Sequence, residues 1–465
     1  MCENVLSKMQ IMENNMENNT NFNIKNKKIA FLTLGCKVNS YETEAMQALL
    51  LAKGATIVEF QETADIYVVN TCSVTNMADR KSRQMLHRAK KKNPDAVVVA
   101  AGCYAQTADE VAMKETGIDV VIGNNQKKQI VEILENYMAG VENKRLEIGK
   151  ETEYEDLSLD TQVEHTRAYI KIQDGCNQFC SYCIIPYARG RIRSRKQEDV
   201  VEEVKRLAGA GYQEVVLTGI HLSSYGKTSY EKISEEGGKP LLDLICRINE
   251  IEGIKRIRLG SLEPRIITED FVKTLYVCEK VCPHFHLSLQ SGSDTVLARM
   301  NRKYTTEEYA KSVDILKKYY EAPAITTDII VGFPQETEEE FAETMEFAKR
   351  IGFSKIHVFK YSRRQGTVAD RMSGQIPEQI KQERSEKLMD LEMTLGEAYR
   401  EQFLGKETQV LFEESVFLSG TICQIGYNER YIRIAVEGAD DLSNHMETVK
   451  IVKKAEEQET LLGRI

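Results

Sequence analysis

Short, continuously apolar runs recur along most of this chain, and helical patterns follow them. The first are Ile29-Ala-Phe-Leu-Thr-Leu-Gly-Cys36, Ile66-Tyr-Val-Val-Asn-Thr-Cys72 and Val97-Val-Val-Ala-Ala-Gly-Cys103, with helical patterns at Glu42 to Ala52 and Asn76 to Lys92. A strand that is apolar throughout is buried on both faces, and strands alternating with helices predict a parallel sheet between helical layers. The alternation resumes at Ala168-Tyr-Ile-Lys-Ile, Glu214-Val-Val-Leu-Thr-Gly, Lys255-Arg-Ile-Arg-Leu-Gly, His284-Phe-His-Leu-Ser-Leu-Gln, Thr327-Asp-Ile-Ile-Val-Gly and Lys355-Ile-His-Val-Phe-Lys. Helical segments such as Glu198 to Ala208 and Glu336 to Arg350 lie between them, rich in Glu in the first turn as the helix dipole favours. Such units predict an open, partial parallel barrel. From about Glu401 the pattern changes to short β-rich runs, Glu407-Thr-Gln-Val-Leu-Phe, Thr421-Ile-Cys-Gln-Ile-Gly, Tyr431-Ile-Arg-Ile-Ala-Val and Thr448-Val-Lys-Ile-Val, which suit a small β-barrel or a plain interaction domain.

The expected class is therefore α/β: an N-terminal parallel α/β domain over 27–140, a partial (β/α)6 barrel over 165–398 and a small C-terminal β-barrel over 399–465. Residues 1–26, rich in Asn, Met and Glu without apolar periodicity, predict a disordered tail, and the charged, weakly patterned 141–164 predicts a linker. Eleven cysteines spread over 465 residues do not form a disulfide framework, and no apolar run reaches membrane length, so a reducing cytoplasm and no membrane partner are expected. A net charge of −9 argues against a protein that coats nucleic acid all over, while leaving room for a local basic surface.

Three cysteines, Cys176, Cys180 and Cys183, stand in a C-x3-C-x2-C triplet with no fourth nearby. A closed zinc site wants four N or S ligands, and a fully ligated 4Fe-4S cubane wants four thiolates. Three thiolates would leave one iron open to a substrate-like molecule; the alternative is a zinc knuckle completed by a distant residue such as His221. The triplet follows the first barrel strand, while Thr218-Gly219, Ser261-Leu-Glu263, Gln290-Ser291-Gly292 and Asp328 with Gly332 end later ones, so these residues are expected to ring one mouth. Cys36, Cys72 and Cys103 each close a strand of the first domain and are expected to converge at one sheet edge as a second three-cysteine site; otherwise they are three buried structural cysteines.

Leu34-Gly-Cys-Lys-Val-Asn39, Asn70-Thr-Cys72, Gly102-Cys103, Gly175-Cys-Asn-Gln-Phe-Cys-Ser-Tyr-Cys-Ile-Ile-Pro-Tyr-Ala-Arg-Gly190, Leu287-Ser-Leu-Gln-Ser-Gly-Ser293 and Gly332-Phe-Pro-Gln-Glu-Thr337 together resemble the radical S-adenosylmethionine (SAM) methylthiotransferases, from about Lys27 to the end. Thr33-Leu-Gly-Cys-Lys-Val-Asn39 and Ile220-His-Leu-Ser-Ser-Tyr-Gly226 are most similar to the group acting on threonylcarbamoyladenosine in tRNA, the MtaB type, with the isopentenyladenosine group as the alternative. Gln335 departs from the Gly that many relatives carry in that turn. The resemblance implies one 4Fe-4S cluster on Cys176, Cys180 and Cys183, a second on Cys36, Cys72 and Cys103, and a C-terminal RNA-binding TRAM domain. It implies that SAM on the open iron is cleaved to methionine and a 5′-deoxyadenosyl radical, which takes hydrogen from C-2 of the adenine, and that the second cluster supplies a methylated sulfur. It further implies SAM contacts from Tyr182, Thr218, Gly219, Ser261, Glu263, Gln290 and Asp328, and an electron donor such as a flavodoxin or ferredoxin.

For the tRNA anticodon arm, the sequence offers Arg189, Arg191, Arg193 and Arg195 after the triplet, and a helix bearing Arg80, Lys81, Arg83, Arg88, Lys90, Lys91 and Lys92 against a lone Asp79. Either set is otherwise structural or a solvated face. A base in a stacked loop would have to be flipped into the barrel mouth. Two rival classes stay open: a non-enzymatic iron–sulfur or zinc RNA-binding protein, and a radical SAM methylase that inserts no sulfur.

Overall fold

The computed structural model describes residues 23–109, 113, 116–141, 153–159, 166–227, 238–418, 420–455 and 459–465. Residues 1–22 of the expected tail and most of the expected linker lie outside them. Within the expected tail, however, Ile24 is fully buried in the first core, so the folded part begins before Lys27. The chain forms two compact units, the first containing the N-terminal sheet with 155–159 and 187–189, the second the remaining described residues.

The first unit is built on a parallel sheet of β1 (Lys28–Thr33), β2 (Thr56–Val58), β3 (Ile66–Thr71), β4 (Val97–Ala101) and β5 (Val120–Ile122), in the order β2-β1-β3-β4-β5. The central strand β3 is buried along its whole length, as its unbroken apolar run requires. Alternate residues feed two cores. Ile29, Val68 and Val99 meet Met46 and Leu50 of α1 (Lys37–Ala52), with Ile133 of the later helix over Ile130–Met138 in the same cluster. Ala30, Tyr67, Val69 and Val98 meet Leu86 and Ala89 of α2 (Asn76–Lys92). Burying each such aliphatic side chain contributes roughly 1.5–3 kcal/mol. Thr75 caps α2 by accepting from the Ala78 N–H at 3.1 Å, and Lys90, Lys91 and Lys92 sit in its last turn, where the helix dipole favours cations. A short helix, α3 (Gly102–Thr107), follows β4 directly.

In the second unit β6 (Ala168–Asp174), β8 (Glu214–Gly219) and β9 (Arg256–Leu259) run parallel, with short β7 (Arg193–Ser194) antiparallel on β6. A second parallel sheet holds β10 (His284–His286), β11 (Ala324–Val331) and β12 (Lys355–Lys360). Bridges Ile257↔Val281 and Leu262↔Leu287 join the two into the expected partial barrel. One face of every parallel strand carries the main core, for example Ile170, Leu217, Ile257, Phe285, Ile329 and Ile356. Because strand side chains alternate, Lys171, Thr218, His286, Asp328 and His357 fall on the opposite, inner face.

The chain ends in a closed barrel of β13 (Glu407–Leu418), β14 (Thr421–Asn428), β15 (Arg433–Glu437), β16 (Met446–Lys454) and β17 (Thr460–Arg464), after a helix over Glu378–Glu401 that runs past the expected boundary at 398. This barrel docks on the N-terminal ends of the parallel strands. Arg256 donates to the carbonyls of Tyr427 at 3.0 Å and Gln409 at 2.7 Å, and Arg258 to those of Glu429 at 3.0 Å and Asn428 at 3.1 Å. Arg167 lies over the rings of Tyr427 and Tyr431, 5.0 and 4.7 Å from their centroids.

Candidate metal centre at the barrel mouth

The triplet loop begins where β6 ends. Asp174 is locked there by Lys171 at 2.7 Å and accepts the Gly175 N–H at 2.7 Å. Gly175 has φ +70°, and a Cβ on it would overlap the Arg191 carbonyl oxygen, so only glycine lets the chain turn into the cysteines. The Cys176 N–H then bonds the Gly190 carbonyl at 3.0 Å, and the Cys183 N–H bonds that of Cys180 at 2.9 Å. Residues after β10 hold the loop from the far side: Asn301 donates to the Phe179 carbonyl at 2.9 Å, and Ser181 bonds the carbonyls of Met300 at 3.0 Å and Arg299 at 2.8 Å.

The three thiols share one site. Burial pushes Cys176 up to about 12, with Cys180 adding to the rise, and burial drives Cys183 up further, reinforced by Cys180 and Cys176. The resistance of Cys176 and Cys183 to ionising fits a polycationic group at this site, which supplies the missing positive charge and ligates thiolates. This donor set therefore fits a 4Fe-4S cluster with one iron open to a ligand.

Around the loop stand the expected mouth residues. Burial opposes the charge on Glu263, but the hydrogen bonds and charges of His221 and Arg265 outweigh it and hold its carboxyl near 2. Glu263 accepts from Arg265 at 2.5 Å, from His221 at 3.3 Å and from Gln178, inside the triplet loop, at 3.2 Å. Thr218 and Gly219 end β8, with Thr218 buried opposite Lys171 in the register. Gln290, at φ +73°, donates its N–H to the Asp328 carbonyl at 2.8 Å, while Ser261 is exposed. Tyr182 packs against the cluster of Val296, Met300 and Phe333, as does Ile330, one inward position above Asp328. Asp328 itself meets His286 Nε2 at 3.3 Å, and His286 Nδ1 meets Thr326 Oγ1 at 3.0 Å. His286, Asp328 and His357 bring their ligand-type atoms within 4.8 Å of one another on the inner wall.

Gln178, Arg302, His286 and His357 join the site without having stood out as site residues in the sequence. The two histidines had a signal: polar and apolar residues alternate in His284-Phe-His286 and in Lys355-Ile-His357, the mark of a strand with one wet face. Arg302 had none, since it follows a helix rather than a strand.

In the first unit Cys36 leads into α1, Cys72 follows β3 and Cys103 opens α3. Gly35 has φ +106°, and a Cβ on it would lie 2.9 Å from Cys72 Cβ and 3.0 Å from Cys72 Sγ, so the Cys36 loop rests directly on Cys72. Burial pushes Cys72 up to about 11, with Cys103 and Cys36 adding to it. Asn124 Nδ2 lies 3.6 Å from Cys103 Sγ. Asn39 ties the strand ends together, its Nδ2 donating to the carbonyls of Leu34 at 2.7 Å and Thr71 at 3.0 Å. The expected convergence at one sheet edge is what the structure has, and a trio of soft thiols fits a second cluster on the same chemistry.

The arginine run after the triplet is not a phosphate surface. Arg189 is fully buried and bonds Glu42 at 2.9 Å and Asn39 Oδ1 at 2.7 Å; Arg193 pairs with Asp174 at 3.5 Å, and Arg195 with Glu203. Their guanidinium groups are engaged by carboxylates inside the protein, and only Arg191, lying over the Phe179 ring at 4.4 Å, keeps part of its surface. On α2, by contrast, Arg80, Lys81, Arg88, Lys91 and Lys92 are exposed, while Lys90 is tied to Asp119 at 2.9 Å.

The Radical SAM superfamily matches residues 170–348, and Uncharacterized protein family UPF0004 matches 28–123. The chain is 42% identical over 432 residues to the threonylcarbamoyladenosine tRNA methylthiotransferase MtaB of Bacillus subtilis, covering 91% of this chain and 94% of that protein. The chain belongs to the radical SAM methylthiotransferase family. Another member, the MtaB of Aquifex aeolicus, is 42% identical over 88% of this chain and 97% of its own length, and the tRNA-2-methylthio-N(6)-dimethylallyladenosine synthase of Clostridium beijerinckii is 38% identical over 92% and 94%. The radical SAM methyltransferase TsrM of Kitasatospora setae, solved with cobalamin and a [4Fe-4S] cluster, shares the fold at a TM-score of 0.54 and 16% identity, over 74% of this chain and 77% of that one. As a radical SAM methylthiotransferase the chain is a transferase that works with a 4Fe-4S cluster and SAM. Among the described residues no helix is long and apolar enough to cross a membrane.

Proposed function

We propose that this enzyme inserts a methylthio group at C-2 of threonylcarbamoyladenosine next to the anticodon of tRNA. The observation that carries this is the 42% identity, over nine-tenths of the chain, to proteins named for that activity, and the two cysteine triads supply the ligands it needs. In this scheme Cys176, Cys180 and Cys183 hold the SAM-binding cluster, and Cys36, Cys72 and Cys103 hold a second. Bound there, the clusters would relay the electron and supply the sulfur, and SAM would supply the radical oxidant and the methyl group.

The chain's own residues do the rest. Gly175 and the Asn301 and Ser181 bonds fix the loop so that the sulfurs stay converged. Tyr182 contacts the adenine of SAM, Thr218 and Gly219 its amino group, and Ser261, Gln290 and Glu263, the last held ionised beside Gln178, its ribose and carboxylate region. Asp328 completes the SAM contacts, and the barrel mouth receives the flipped base. Arg191 and the exposed cations of α2 meet RNA phosphates, a flavodoxin or ferredoxin delivers electrons, and the enzyme works in the cytoplasm. Mass spectrometry of tRNA nucleosides from a strain lacking the gene tests the substrate. The 2-methylthio form of threonylcarbamoyladenosine should vanish and its precursor accumulate; loss of a methylthiolated dimethylallyladenosine instead would move the enzyme to that group.

A further inference from the structure

A guanidinium reaches the triplet from outside it. Arg302 Nη1 donates to Cys180 Sγ at 3.3 Å, its Nη2 to the Ser288 carbonyl at 3.1 Å and its Nε to the Tyr304 hydroxyl at 2.8 Å, and the group lies over the Tyr304 ring, 4.9 Å from its centroid. Tyr304, itself buried, is pinned in turn by the carbonyls of Ser288 and Leu289, the latter at 3.0 Å. Each edge of the planar fork is thus committed, so a permanent cation is fixed on one cysteine sulfur.

We propose that Arg302 sets the reduction potential of the cluster held by Cys176, Cys180 and Cys183, acting through the N–H···S bond to Cys180; this rests on assigning that cluster to those three cysteines. The physical reason is charge. Adding an electron makes a thiolate-bound cluster more negative, and a fixed cation with a hydrogen bond on a ligating sulfur stabilises the more negative form. Arg302 therefore raises the potential and makes the electron easier to deliver. It is a positioning residue for charge, not a group that touches the reacting atoms.

The test uses the full chain carrying Cys36→Ala, Cys72→Ala and Cys103→Ala, reconstituted anaerobically so that one cluster remains, in a potentiometric titration followed by electron paramagnetic resonance. Arg302→Gln should disfavour the reduced cluster at least tenfold at a fixed potential, a fall of about 59 mV or more in midpoint for one electron. Arg302→Lys, which keeps the charge without the fork, should fall less. Tyr304→Phe, which frees the Nε edge, should shift in the same direction by a smaller amount. An unchanged midpoint in Arg302→Gln overturns the proposal, as does an unchanged midpoint in Tyr304→Phe if Arg302→Gln does not hold iron. Failure of the parent protein to bind iron, or iron binding indifferent to Cys180→Ala, would instead sink the cysteine assignment beneath it.

Discussion

Gly35→Ala puts a single methyl group where the Cys36 loop rests on Cys72. The new Cβ would lie 2.9 Å from Cys72 Cβ, 3.0 Å from its sulfur and 3.2 Å from Asn39 Nδ2, against the 3.4 Å where ordinary contact begins. Either the loop or Cys72 must retreat by roughly half an ångström, and such overpacking costs about 1–3 kcal/mol. The backbone at φ +106° adds about 1–2 kcal/mol for any L side chain. Part of that total is relieved by moving Cys36 and Cys72 apart, which spoils the triad. Iron and sulfide analysis after anaerobic reconstitution should therefore fall from about eight of each to about four. Urea denaturation should report a loss of roughly 2–4 kcal/mol in the first unit. Gly211→Ala is the control: its φ is +95°, but nothing lies within 4 Å of the added carbon, so it carries the backbone cost alone and keeps its iron. Gly35→Ala protein with full iron and unaltered stability would refute the packing of Cys36 on Cys72.

Glu42 is the shared anion of two buried cations, Arg189 at 2.9 Å and Lys127 at 2.8 Å, so Glu42→Gln leaves charge uncompensated and should destabilise by about 3–5 kcal/mol in urea denaturation. Replacing Arg80 and Arg88 by Ala should weaken tRNA binding for all sequences alike and lower the log–log salt slope by about one unit for each phosphate no longer neutralised, read by filter binding at several salt concentrations.

Much of the architecture was legible because buried parallel strands leave unbroken apolar runs, and because cysteines at strand ends inherit their neighbourhood from the sheet. Charge was harder to place. The run from Arg189 to Arg195 reads as a basic surface until its partners are known, yet Glu42 lies 147 residues before Arg189 and no local pattern couples them. The same blindness hid Arg302, 122 residues beyond Cys180. The two inner-wall histidines escaped for another reason. His286 and His357 are not among the polar and glycine residues at strand ends that marked Asp328, and only register puts the two beside it. The fifth strand of the small barrel, Thr460–Arg464, is too short and too close to the chain's end to stand out from its turn residues.

The central claim is that two cysteine triads do different work in one enzyme. It is tested most directly by anaerobic turnover with dithionite, SAM and tRNA, scoring 5′-deoxyadenosine and methylthiolated nucleoside side by side. Cys180→Ala should form neither, because two remaining thiolates do not retain a cluster with an open iron. Cys72→Ala should still form 5′-deoxyadenosine and yield no methylthiolated nucleoside. Methylthiolated product at the wild-type level from Cys72→Ala would contradict the account, reducing Cys36, Cys72 and Cys103 to structural cysteines at a sheet edge.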